Sequence, residues 1–231
     1  MNQKTILITG VSRGVGYALA TKFLQSGHKV VGTSRNISTL SKSFLPYGEH
    51  FIPLQLSFDT PELIKLAVDK LKSQHLTIDV VVHNAGVLVK KPFTEVSYQD
   101  MLDCYQANVF GPYMLTQQVL PILHSHAHVV FISSMGGFQG SLKFPGLTAY
   151  SSSKAAEASL AECLQEEFKE TNYAFNTICL GAVQTEMLNL AFPGYVAPLT
   201  SERLSTYLEV FCLTANHFMR GKVLPLSMSN P

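Results

Sequence analysis

A chain of 231 residues, 46% of them hydrophobic, suits one α/β domain, and at that length it buries roughly 70% of the surface that its unfolded form exposes. Lys and Arg number 17 against 16 Asp and Glu, a formal net charge of +1 with the cations scattered, which argues against the basic field that a nucleic-acid backbone requires. Four cysteines, Cys104, Cys163, Cys179 and Cys212, stand far apart with no Cys-x-x-Cys pair and read as reduced, mostly buried thiols.

The chain enters its first apolar strand run, 5–9, almost at once, with no room for a charged segment, an apolar core and a cleavage site, so a cytoplasmic location is expected. Further strand runs follow at 29–33, 51–56, 79–83, 128–133, 174–180 and 222–226, and none approaches the ~20 apolar residues that cross a bilayer. Helical periodicity falls between them at 15–26, 61–73, 98–123, 149–171 and 202–216. Pro61 suits a first helical position, and Gly27 stops the first helix. Strands separated by helix-length segments predict a doubly wound, mostly parallel seven-stranded sheet with helices on both faces, built from residues 1–231 as a single domain. The long non-periodic insertion at 187–200 predicts, with Glu186, a substrate-covering loop around 186–200.

Between the first strand and the first helix stands Thr9-Gly10-Val11-Ser12-Arg13-Gly14-Val15-Gly16. Three glycines let the chain turn tightly and lay backbone donors against a pyrophosphate at the helix N-terminus. The spacing is not Gly-x-Gly-x-x-Gly, and no Gly-Lys-Ser/Thr ending follows, so a nucleotide cofactor is expected rather than ATP. About twenty residues on, where a carboxylate would bind an adenine ribose, the second strand ends instead in Ser34-Arg35-Asn36. Arg35 and Arg13 would converge on a 2′-phosphate, so NADP(H) is expected in preference to NAD(H).

In Thr148-Ala149-Tyr150-Ser151-Ser152-Ser153-Lys154 a helix puts Tyr150 and Lys154 one turn apart on one face. An ammonium beside a phenol stabilises the phenolate, so Tyr150 is expected to exchange its proton well below the unperturbed value of roughly 10. Ser134 ends the fifth strand, where open α/β sheets place their ligands, and its hydroxyl is the candidate for a substrate oxygen. Ser133, on the opposite side of the strand, is discounted. His124, His126 and His128 alternate as metal ligands do, but they enter the fifth strand far from Ser134 and no Cys or carboxylate completes a set, so no metal is expected. His83 and Cys104 read as packing residues.

These motifs, in this order, resemble the short-chain dehydrogenase/reductase family over nearly the whole chain. The glycine segment resembles its cofactor loop, and Asn84-Ala85-Gly86 its Asn-Ala-Gly element. Asn108, Ser134, Tyr150 and Lys154 match its catalytic tetrad, Asp59 its adenine contact, and Gly181-Ala182-Val183-Gln184-Thr185 the segment that clasps nicotinamide and phosphate. The resemblance implies that Lys154 also holds the nicotinamide ribose and that Asn108 organises a water relay to it, with Val183 and Thr185 at the cofactor. Pro112 would leave the Asn108 carbonyl without a helical donor, free for that water. The departures are His83 for an Asn, Leu180 for a Pro, a lengthened stretch from 134 to 150, and a tail, 226–231, without Asp-Gly-Gly.

The expected activity is hydride transfer between NADP(H) and a carbonyl or alcohol, with Tyr150 as acid and base. The alternatives are a catalytically weak dinucleotide-binding or regulatory protein, and an epimerase or dehydratase on the same scaffold. Met187, Leu188, Leu190, Ala191, Phe192, Pro193, Tyr195 and Val196, with Phe138 and Leu142, are expected to line an apolar substrate pocket. No nucleic-acid or membrane partner is expected. Ala155, Ala158, Leu160, Ala161, Leu164 and Phe168 offer either a self-association face or ordinary core, and the resemblance favours a homodimer or homotetramer.

Overall fold

The computed structural model describes residues 2–228. In chain order its elements are β1 (Thr5–Ile8), α1 (Gly14–Gln25), β2 (Lys29–Ser34), α2 (Ser38–Ser43), β3 (Phe51–Gln55), α3 (Pro61–Ser73), β4 (Ile78–His83), α4 (Tyr98–Tyr105) and α5 (Gly111–Val119). There follow β5 (Leu123–Ser134), α6 (Thr148–Glu167), β6 (Ala174–Leu180), β7 (Val183–Gln184), α7 (Glu186–Ala191), β8 (Leu199–Thr200), α8 (Ser201–Thr214) and β9 (Val223–Leu226). Seven strands form one sheet in the order β3-β2-β1-β4-β5-β6-β9, and every pairing is parallel.

Side-chain alternation along the strands explains the two covered faces. Ile6, Ile8, Val80, Val82, Val130 and Ile132 point to one side, where Leu19 and Phe23 of α1 and Leu204 and Leu208 of α8 cover them. Leu7, Val81, Val129 and Phe131 point to the other, under Ile64 and Val68 of α3, Leu115 and Val119 of α5, and Ala161 of α6. The strand order reverses between β1 and β4, so their carboxyl ends diverge and leave a crevice for a ligand.

Four local features differ from the sequence reading. The helix expected over 98–123 is α4 and α5 joined through a π-helical turn at Gln106–Phe110, where Gly111 N–H returns to the Gln106 carbonyl. Pro112 has no N–H to give, and the wider turn absorbs the missing bond. The fifth strand begins at Leu123 rather than 128, and its pairing with β4 slips between Ile78 and Val80, putting His124 and His126 on the exposed part of the bulge. The insertion at 187–200 is not structureless: it holds most of α7, capped by Thr185, and β8, which pairs with β7. The sequence predicts no element at the short α2, since Ser-Thr-Leu-Ser-Lys-Ser has one apolar residue to reveal a period. Of the tail expectation, residues 229–231 lie outside the described residues, while Ser227 packs against Gly181 so closely that a Cβ there would meet its Oγ. No helix among the described residues is long and apolar enough to cross a membrane.

Candidate active site

The glycine segment turns at the end of β1 because Gly10 (φ +73°) and Gly14 (φ +58°) take backbone conformations that other residues resist. Asn84 and Ala85 staple it. Thr9 Oγ1 accepts from their backbone N–H groups at 3.0 and 2.9 Å, and Asn84 Nδ2 donates to the carbonyls of Thr9 and Gly10 at 2.9 and 3.1 Å. A Cβ on Gly16 would lie 2.3 Å from the Gly10 oxygen, so Gly16 serves the packing of α1 under the loop and does not line the cavity. The α1 N-terminus has no side-chain cap and no acidic residue in its first turn, which leaves its positive end for an anion.

A cavity of about 700 Å³ runs from this loop along the carboxyl ends of the strands. Gly10, Ser12, Arg13, Gly14, Val15, Ser34, Arg35, Asp59, Asn84, Ala85 and Gly86 line it at one end, with Ser134, Tyr150, Lys154, Val183 and Thr185 further along. Asn36 does not line it; its Oδ1 accepts from the Ser38 backbone and hydroxyl instead, at 3.0 and 2.7 Å. Arg13 is ion-paired to Glu186 at 2.9 Å, an attachment of the loop to α7 that the sequence did not suggest. Asp59 accepts from Ser57 Oγ at 2.6 Å. The residues present fit a dinucleotide: Gly10, Gly14 and Gly86 line this end with no side chain to fill it, and a Cβ at Gly86 would come within 2.9 Å of Asn108 Oδ1.

Asn108 sits in the π-helical turn, fully buried, and does not itself reach the cavity wall. Its amide clamps Val87, accepting from N–H at 2.8 Å and donating to the carbonyl at 2.9 Å, and donates to Ser153 Oγ at 2.9 Å. Ser134 ends β5, its Oγ accepting from Gly136 N–H at 3.1 Å and hydrogen-bonded to the Tyr150 hydroxyl. Tyr150 and Lys154 both lie on α6, one turn apart as expected. Ser133 holds α6 to the sheet, its hydroxyl donating to the Lys154 carbonyl at 2.8 Å.

One electrostatic expectation is overturned. Burial holds the Tyr150 phenol above its ordinary value, and the opposing pull of Lys154 and of the Ser134 hydrogen bond does not cancel it. Burial is the main reason, and the charge of a residue absent from the sequence reading, Glu157, adds to it. Lys154 Nζ lies 2.8 Å from Glu157 Oε2, with side-chain exposures of 3% and 0%, so the ammonium is already compensated. Lys154 is held above its ordinary value, the Glu157 and Tyr150 charges outweighing burial, while burial lifts Glu157 to about 7. The signal was available: Glu157 stands three residues after Lys154 on the helix face that meets the sheet, where a carboxylate needs a partner.

The expected lid residues divide. Met187, Leu188, Phe192 and Tyr195 line the cavity, joined by Phe144 and Leu147, which the sequence did not suggest. Leu190 and Val196 are exposed and Ala191 is buried, while Phe138 and Leu142 line a separate neighbouring cavity. Lys90 ties the lid down, donating to the Ala191 carbonyl at 2.8 Å with its ammonium 3.9 Å over the Phe192 ring. Leu160, Leu164 and Phe168 pack against the core, so most of the apolar face of α6 is spent inside. His83 is buried and stacked on Phe131, with its pKa lowered by burial to about 3. His128 is buried far from its exposed neighbours His124 and His126 in environment, taking a hydrogen from Asn176 Nδ2 at 3.0 Å and giving one to the Cys212 carbonyl at 2.9 Å.

The sequence pattern described as short chain dehydrogenase matches residues 4–195. The oxidoreductase UcpA of Escherichia coli (strain K12) is 30% identical over 80% of this chain and 71% of its own. The structure of ElxO with NADP bound superimposes at a TM-score of 0.83, 25% identical, over 97% of both chains. A 3-ketoacyl-(acyl-carrier-protein) reductase from Brucella melitensis complexed with NADH does so at 0.86 over 96% of both, 20% identical, a likeness of fold. With the glycine loop, the Tyr150–Lys154 pair and the parallel sheet in the places described, the chain belongs to the short-chain dehydrogenase family of oxidoreductases.

Proposed function

We propose that this protein is an NADP(H)-dependent oxidoreductase that interconverts a carbonyl and its alcohol, with Tyr150 as acid and base. The observation that carries the reading is that one cavity is lined by the glycine loop and by Ser134, Tyr150 and Lys154 together. When bound, the cofactor supplies or accepts the hydride. Arg13 and Arg35, with no carboxylate at the end of β2, would hold a 2′-phosphate by charge-assisted hydrogen bonds. The loop backbone and the α1 N-terminus would hold the pyrophosphate. Lys154, Val183 and Thr185 would hold the nicotinamide end, and Asp59 the adenine.

Ser134 would orient the substrate oxygen and stabilise the charge that develops on it. Tyr150 gives that oxygen a proton in reduction, and its phenolate takes the alcohol proton in oxidation. Asn108 keeps Val87 and Ser153 in register beside Lys154 and so maintains the relay end of the site. Met187, Leu188, Phe192 and Tyr195 form a lid that favours an apolar or aromatic carbonyl compound. Tyr98, Phe110 and Tyr113, exposed on α4, the π-helical turn and α5, support assembly as a homo-oligomer through that side.

The test is NADPH consumption, followed by absorbance, against a panel of aldehydes, ketones and quinones, after cofactor binding has been shown by fluorescence. Oxidation of NADPH with formation of the alcohol is expected. Tight cofactor binding with no turnover across the panel, in either direction, would overturn the reading.

A further inference from the structure

Glu157 is fully buried on the face of α6 that packs on the sheet, beside Ala158 and Ala161, where an apolar residue would pack at no electrostatic cost. One carboxylate oxygen meets Lys154 Nζ at 2.8 Å, and the other has no hydrogen-bond partner. A buried carboxylate with an orphan oxygen is costly to keep, and such groups concentrate where charge is used. Lys154 has three protons to give. One goes to the Ile132 carbonyl at 2.9 Å and one to Glu157, and the third is left for the Tyr150 side of the site.

We infer that Glu157 is a positioning residue for the Tyr150–Lys154 pair: its carboxylate holds the ammonium in place and, by its own charge, restrains the pull of that ammonium on the Tyr150 proton. The inference rests on the proposed acid and base role of Tyr150 and deepens it. Lys154 on the same helix favours the Glu157 anion against burial, the Ser133 hydroxyl from β5 being spent on the Lys154 carbonyl, and among the described residues no other cation acts on it. Around the pair stand Cys179 from β6, His83 from β4 and Cys104 from α4, the first and last held as thiols and the second as neutral imidazole by burial. Tyr150 is the remaining partner, and the Glu157 charge acts to raise its pKa.

The arrangement gives the site a control at neutral pH. When Glu157 is protonated, the full field of Lys154 acts on the phenol and Tyr150 becomes the stronger acid. When Glu157 ionises, the pair is close to neutral and Tyr150 holds its proton more tightly. Glu157 stands near the pH at which this change occurs, since burial lifts it to about 7.

Glu157→Gln keeps the shape and a hydrogen-bond acceptor while removing the charge, and Glu157→Asp keeps the charge. In the pH profile of kcat for alcohol oxidation, the limb on which Tyr150 loses its proton should move to lower pH in Glu157→Gln by about one unit. It should return towards the parent in Glu157→Asp. An unmoved limb, or one displaced upward, would overturn the inference. A second readout needs no turnover: in protein carrying carbon-13 at the glutamate carboxyl, the resonance absent from Glu157→Gln should titrate above the usual carboxylate range, and higher still in Lys154→Met. A midpoint in the usual range, indifferent to Lys154→Met, would overturn it as well. Absence of any turnover in the parent would instead count against the proposed function, and the carboxyl titration would still decide whether the buried pair is coupled.

Discussion

Arg13 and Glu186, both lining the cavity, are ion-paired at 2.9 Å and so join the glycine loop to the first turn of α7. Both side chains are more than half exposed, and such a pair contributes at most about 1 kcal/mol. A 2′-phosphate carrying two charges competes well against one exposed carboxylate. Glu186→Gln should therefore tighten NADPH by up to about fivefold and leave NADH unchanged. Arg13→Ala should weaken NADPH by roughly tenfold, again sparing NADH. Fluorescence titration with both cofactors checks this, and equal effects on the two would reject a 2′-phosphate contact at Arg13.

Replacing Tyr150 with Phe removes the hydroxyl that meets Ser134 while keeping the ring. The value of kcat should fall by about 10²–10⁴-fold with cofactor affinity little changed. Lys154→Met should lower kcat and also weaken cofactor binding, because the ammonium is assigned two tasks. Steady-state kinetics beside binding titrations separate the two variants. Parental turnover in Tyr150→Phe would remove it from the chemistry.

Asn108→Ala would strip both Val87 backbone groups and the Ser153 hydroxyl of a partner in a fully buried place. Leaving such groups unpaired costs about 1–3 kcal/mol each, partly relieved by water in the space vacated. The variant should unfold at least about 2 kcal/mol more easily in urea, a loss that a merely solvated helix residue would not give. A change within about 0.5 kcal/mol would show that the π-helical turn does not depend on this clamp.

Two buried histidines make the fold sensitive to acid. Burial lowers His128 to about 4 and His83 to about 3, so both are neutral in the folded chain and protonate more readily once unfolded. The stability they preserve is complete above pH 6.5 and is lost as pH falls from there towards those lowered values. By pH ~4.5 each should cost about 2–3 kcal/mol relative to neutral pH. Urea unfolding of the parent and of His128→Gln at neutral and acid pH tests it; the variant should lose less on acidification, and parallel losses would refute the assignment.

Much of the fold was legible because its signals are local. Thr5–Ile8 followed by a glycine-rich turn and a helix of 3.6 period, repeated as strand and helix to Val223–Leu226, leaves a parallel sheet as the economical way to bury every strand on both faces. The same locality exposed Tyr150 and Lys154, since a helix alone sets them on one face. The π-helical turn at Gln106–Phe110 was not legible, although Pro112 marked a missing donor, because the choice between a kink and a wider turn depends on what Asn108 can clamp across the chain at Val87. Nor could the sequence order the charges. Spacing implied that Lys154 acidifies Tyr150, but whether an ammonium prevails over desolvation depends on the depth of the site and on its other neighbours. Only the packing of α6 against β5 and β6 buries Tyr150, whose desolvation outweighs the pull of the ammonium, and sets Glu157 beside Lys154 to add to that effect, because a charge removed from water answers to every group around it and not to its neighbours in sequence.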